Sequence, residues 1–184
     1  LIVAIDDASI DTLGRWPWRR AIHAALLDRL QGARAVGLDL IFAESDTVNP
    51  NDDRILADSI RRNGHTVLPI VLDRLANPSA IAAPIPILAQ AAASSGFINA
   101  RVDSDGVVRE ATPATDFSGE RRFHLALSML TVGGQPDKAQ QLLQRAGPDG
   151  NILIPYAGST AHMRTVSYPV SYTHLRAHET KANL

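Results

Sequence analysis

The sequence predicts an α/β domain: three layers, with a mainly parallel central sheet plus an antiparallel hairpin. Three observations point there. Apolar runs of strand length at 1–5, 35–42 and 65–72 lack polar alternation, as strands buried on both faces do. Helix-length segments with apolar residues three and four apart separate them, which suits right-handed parallel crossovers. Asp103-Ser104-Asp105-Gly106 lies between two further strand-like runs and places a glycine where a hairpin needs positive φ.

The run Leu1 to Ile5 is expected to be the central strand, with Asp6 and Asp7 at its C-terminal end, the edge where parallel sheets collect ligands. Trp16-Pro17-Trp18-Arg19-Arg20 then turns the chain into a helix over 21–31, since Pro17 fixes its own φ and biases Trp16 away from helical geometry. Ile22, Ala25, Leu26 and Leu30 share one face of that helix, and Gly32 is the expected cap. The second strand, 35–42, carries Asp39 inside it. A helix begins around Asn49 to Asp53, with Asp52 and Asp53 in its first turn and Arg61 and Arg62 near its end, both favourable to the macrodipole. Asn63-Gly64 stops it, and a strand over 65–72 ends at Asp73. The three strands are expected side by side.

A Pro- and Ala-rich connection, 75–86, reads as a flexible loop leading into a helix over 87–93. The runs 96–102 and 107–115 form the expected hairpin. Amphipathic helices follow over 123–132 and 137–145, and a short strand over 151–154.

Composition narrows the function classes. The chain has 184 residues, 45% hydrophobic and 20% charged, enough for one domain with a real core. Its net charge of −1 carries no electrostatic footprint for nucleic acid. Without cysteine there is neither a disulfide framework nor a thiolate metal site. No apolar run approaches the roughly 18 to 20 residues that span a bilayer. The chain opens inside a strand, as a segment cut from a longer protein would. The last stretch, 170–184 (VSYTHLRAHETKANL), differs in character from the rest and resembles a translated sequencing adapter. It is expected to be an artefactual or disordered tail that does not pack on a domain spanning 1–169.

Asp6, Asp7, Asp39 and Asp73 stand at or near the ends of three strands, so they can converge in one cleft. Clustered carboxylates suit a hard cation and metal-dependent phosphoryl chemistry. The favoured alternative is structural: carboxylates at strand ends commonly accept bonds from the next turn, so Asp6 and Asp39 anchor loops by accepting backbone N–H groups or the guanidinium of Arg19 or Arg109. The block 103–106 resembles part of a calcium loop, but Arg101 and Thr112 stand where the first and last ligands belong. His174 and His178 have metal-ligand spacing but fall in the tail, and His23, His65 and His124 have no histidine at ligand spacing. There is no phosphate-binding loop, nucleophile elbow or complete catalytic set. No catalytic residue, metal ligand or cofactor is therefore assigned. The candidate ligand site comprises Asp6, Asp7, Trp16, Trp18, Arg19, Asp39 and Arg109, with Arg19 paired to a strand-end carboxylate and the indoles walling the cleft.

The ordered succession VAIDDASIDTLGRWPWRR, ALLDRL, ARAVGLDLIFAESD, DDRILADSI, SSGFINARVDSDGVVREA and HLALSML resembles the CHASE domain of the second type. The most specific parts are Trp-Pro-Trp-Arg at 16–19, Gly-x-Asp-x-x-Phe at 37–42 and Asp-x-Asp-Gly-x-x-Arg at 103–109. The resemblance implies an extracytoplasmic sensory module of a bacterial receptor, periplasmic and responsive to an unspecified small molecule or physical signal. It also implies a membrane-anchored, homodimeric parent whose output is a nucleotide cyclase, a histidine kinase or a serine/threonine kinase. A metal-dependent phosphohydrolase using Asp6, Asp7 and Asp39 is the competing reading, and a purely structural dimerisation domain a third.

Overall fold

The computed structural model describes residues 1–73, 80–156, 158 and 163–169. The elements run β1 (Ile2–Ala4), α1 (Asp7–Leu13), α2 (Arg20–Arg29), β2 (Val36–Gly37) and α3 (Pro50–Asn63). Next come β3 (Thr66–Asp73), β4 (Ala80–Ala82), α4 (Pro86–Ala91), β5 (Ser94–Phe97), β6 (Glu110–Ala111), β7 (Ala114–Phe117) and β8 (Glu120–Phe123). The chain closes with α5 (Leu125–Val132), α6 (Pro136–Gln144), β9 (Ile152–Leu153) and β10 (Thr165–Ser167). Helices mixed with a parallel sheet and antiparallel strand pairs make this an α/β fold. The chain divides into two compact units, one of residues 1–33, 46–64 and 156–184, the other of residues 34–45 and 65–155.

In the first unit, α2 and α3 pack together. Leu26, Leu27 and Leu30 from the one and Leu56, Ala57 and Ile60 from the other are buried. Pro50 at the start of α3 needs no N–H partner there, and Gly64 ends the helix at φ 70°. The α2 cap is Leu30 rather than the expected Gly32. The largest correction concerns the first strand. β1 pairs in parallel with β10, Ile2 opposite Thr165 and Ala4 opposite Ser167, in a sheet of those two strands among the described residues. Leu1, Ile2 and Ile5 are exposed, so the run 1–5 is not a central strand. Its apolar pattern fits a buried strand, yet the pattern carries no information about the partner, which arrives at the far end of the chain.

The second unit is built on β3. It pairs in parallel with β2 (Val36 opposite Thr66) and with β5 (Val67 opposite Ser94), and antiparallel with β4 (Leu72 opposite Ile81). The parallel pairing of β2 with β3 across a helical connection was the expected one. Residues 75–79 of the expected flexible loop lie outside the described residues, and β4 occupies part of the remainder. Beyond β5, the Asn99 amide takes the place of a strand, exchanging two hydrogen bonds of 2.9 Å with the backbone of Leu72. Ile70, Leu72, Phe97 and Phe117 form one core cluster, with Ile81 packed against it.

Gly96 is dictated by the helix that crosses it. A Cβ there would lie 2.6 Å from Leu125 Cα and 2.7 Å from Leu125 N, so only glycine admits the start of α5. The expected hairpin around Gly106 is not formed. The turn itself closes, with Gly106 N–H donating to Asp103 O at 2.9 Å, but the flanking chain goes elsewhere: β5 to β3, and β6 to β9. The antiparallel hairpin is instead β7–β8, turned by Ser118 and Gly119 at φ 53° and 80°.

Candidate functional site

The aromatic block of the first unit is assembled from the segment between α1 and α2 and from Tyr168. The Trp18 indole donates from Nε1 to Gly14 O at 2.7 Å, which fixes the ring. Trp16 meets Trp18 edge-on at 5.3 Å between centroids, and Trp18 meets Tyr168 at 5.1 Å. His23, from the first turns of α2, lies beneath them with Nδ1 2.8 Å from the Tyr168 hydroxyl. Trp18, His23 and Tyr168 are buried, whereas Trp16 is 40% exposed. Burial pushes the His23 imidazole down to about 4, with the nearby Arg20 guanidinium adding to the shift, so the ring is neutral at physiological pH.

Two adjacent arginines meet two adjacent aspartates beside this cluster. Arg19 holds Asp52 through two bonds, Nε to Oδ2 at 3.1 Å and Nη2 to Oδ1 at 2.9 Å, and the Ala21 N–H adds a third at 3.3 Å. Arg20 pairs with Asp53, which also accepts the Asp46 N–H at 3.2 Å. Asp52 is held below the ordinary carboxylate value because Arg19 and the Ala21 N–H bond its charged form. Arg19 does pair with a carboxylate, but its partner is Asp52 in the first turn of α3 rather than Asp6, Asp7 or Asp39. Asp52 and Asp53 were legible only as macrodipole-favouring acids. The signal that finds their second role is the matched doublet, Arg19-Arg20 against Asp52-Asp53.

Asp6 works as a cap. Its Oδ1 accepts the Ser9 N–H at 2.9 Å and the Ser167 hydroxyl at 2.7 Å, tying the start of α1 to β10. Hydrogen bonds from the Ser9 and Ser167 side chains hold its carboxyl below the usual range. Asp7 is exposed in the first turn of α1.

Asp39 and Arg109 belong to the second unit. Asp39 is exposed, and its charge acts on His124, opposing the downward shift that burial imposes on that imidazole. Arg109 braces its own turn, with Nη1 2.9 Å from Asp103 Oδ2 and Nη2 2.7 Å from Asp105 Oδ2. The Asp-x-Asp-Gly-x-x-Arg motif is thus a self-locking loop. Asp73, at the end of β3, also belongs to this unit. Among the described residues no group of three or more His, Asp or Glu side chains is placed to hold a metal ion, and no helix is long and apolar enough to cross a membrane. His174, His178 and the tail 170–184 lie outside the described residues.

The seven residues read as one ligand site therefore sort by unit. Trp16, Trp18 and Arg19 stand with the His23–Tyr168 cluster and the Asp52 pair, and Asp6 serves α1. Comparison with known proteins adds the family. No curated protein and no solved structure gives a significant match. The family model of the CHASE2 domain, an extracellular sensory and non-catalytic module of signalling receptors, matches residues 1–178. That span covers nearly the whole chain and includes the Trp-Pro-Trp-Arg block, the Gly37 to Phe42 run and the Arg109 loop, so the chain belongs to the CHASE2 domain family.

Proposed function

We propose that this chain is the periplasmic input module of a membrane-anchored, homodimeric bacterial receptor whose output is a nucleotide cyclase, a histidine kinase or a serine/threonine kinase. The observation that carries the reading is the CHASE2 match over residues 1–178. The site geometry supports it. Within each unit the charged groups are paired locally: Arg19 with Asp52, Arg20 with Asp53 and Asp6 with Ser9 and Ser167 in the first, and Arg109 with Asp103 and Asp105 in the second. Such an arrangement holds a shape that a signal can perturb, which is what an input module requires. The exposed edges of Trp16 and Arg19 are the surface on which a small molecule or a physical signal acts in this reading. We take residues 1–169 as the module, although the family match runs on to residue 178.

The test is the reading frame on both sides of the chain together with a topology fusion. The proposal expects membrane-spanning segments, a cyclase or kinase domain, and activity of an alkaline phosphatase fused after residue 169. A frame with neither spanning segment nor signalling domain, or a fusion active only as a cytoplasmic reporter, contradicts it.

A further inference from the structure

In the second unit, β3, β4, α4, β5 and β8 line a pocket of about 340 Å³ that is open to solvent, within the size range of small-molecule sites. Its walls are apolar, with Leu68 and Ile70 from β3, Ile81 from β4 and Ala89 from α4. Ser94 and Ser95 from β5 and Arg122 from β8 bring the polar groups. Arg122 is the one cation among the lining residues, and its guanidinium is only partly used. Nη2 pairs with Glu120, whose side chain is 66% exposed. Nε is buried without a hydrogen-bond partner, the one such side-chain nitrogen or oxygen among the described residues.

A buried donor left unmade is costly, and native structures explain nearly all of them by a bound group or a role. Nε and Nη2 together form the side-on fork that a carboxylate fills with two parallel bonds. Here one prong lacks an acceptor and the other is held by a solvent-exposed glutamate two residues away on the same strand. A phosphate dianion would call for a second cation, which the lining does not supply. We propose that this cavity binds a small monocarboxylate with a short apolar body. The carboxylate takes Nε and Nη2 of Arg122 in exchange for Glu120, and the body lies on Leu68, Ile70 and Ile81. Binding moves a side chain on the β7–β8 hairpin while filling space beside the core strand β3. This gives the sensory reading a ligand class and rests on that reading only for what the binding accomplishes. The binding itself needs neither membrane nor output domain, so its failure is separable from a failure of the receptor assignment.

The test titrates the purified chain at pH 7 with hexanoate, acetate, 1-hexanol and hexyl phosphate, by calorimetry and by methyl NMR. Hexanoate is expected to saturate and to shift the Leu68, Ile70 and Ile81 methyls, with the other three at least tenfold weaker. Arg122→Gln weakens hexanoate at least tenfold, and Glu120→Gln tightens it two- to fivefold by removing the competitor. Ile81→Trp, which fills the cavity, abolishes binding and serves as the check should Arg122→Gln unfold. Hexanoate that does not saturate, equal binding of hexanol, tighter binding of hexyl phosphate, or hexanoate binding unchanged in Ile81→Trp overturns the proposal.

Discussion

At the scale of single residues, the two Arg–Asp pairs differ in what their loss leaves behind. Arg20 and Asp53 are each 11% exposed at the side chain, so Arg20→Ala strands a carboxylate away from water. The expected loss is about 3 kcal/mol of unfolding free energy, measured by urea titration. Arg19 itself is 60% exposed, but its partner Asp52 is only 2% exposed and keeps the Ala21 N–H alone when Arg19 is removed, so Arg19→Ala should cost at least as much as Arg20→Ala in the same titration. His23 supplies a pH dependence. Its folded-state value of about 4 lies below the ordinary 6.5, so between these limits the unfolded chain binds the extra proton. Stability is then complete above pH 6.5 and falls as pH drops toward 4, by about 3 kcal/mol across the window. Unfolding midpoints of the wild type and of His23→Gln at pH 7.5, 6 and 5 check this, with a flatter profile expected for the variant. The pairing partners could not be read from the sequence, because a charge pattern along one helix shows its macrodipole logic but not which loop folds over its first turn.

At the scale of elements, local signals were legible wherever the determinant is local. The helix 50–63 was visible from end to end, because Pro50, the acidic first turn, the basic last turn and Gly64 are all written beside it. β2 beside β3 followed from the crossover rule. β1 failed for the opposite reason: Leu1 to Ile5 looks like any buried strand, and the partner that makes β1 half of a two-stranded sheet is β10. Asp6 also changes meaning once α1 is seen, since an aspartate at a strand end and an N-cap have the same sequence signature. Gly96 offers a test at this scale. Because the atoms a new Cβ meets are backbone atoms of Leu125, Gly96→Ala must displace the start of α5, at an expected cost of about 2 to 3 kcal/mol. At Gly37 the neighbour is the Met129 side chain, which can move, so Gly37→Ala should cost less. Parallel urea titrations of the two variants compare them directly.

At the scale of the molecule, the α/β class and the CHASE2 family were both legible, the class from alternating strand and helix signals, the family from ordered motifs. The partner of Arg19 was not, because it is Asp52 in the first turn of α3, which no strand-end pattern marks. What the motifs build is structural: a clamped aromatic plug at Trp18 and His23, a braced loop at Arg109, and a close helix crossing at Gly96. On the function proposed above, such a domain acts by holding and releasing a conformation, and its effect is read in the output of the receptor that carries it. The most direct measurement is the output rate of membranes bearing the complete receptor, cyclic nucleotide formed or phosphate transferred, against the same receptor lacking residues 1–169. The account predicts a change of at least severalfold on deletion, with a smaller change in the same direction for Trp16→Ala. An output rate identical in all three, at equal receptor levels in the membrane, would contradict it.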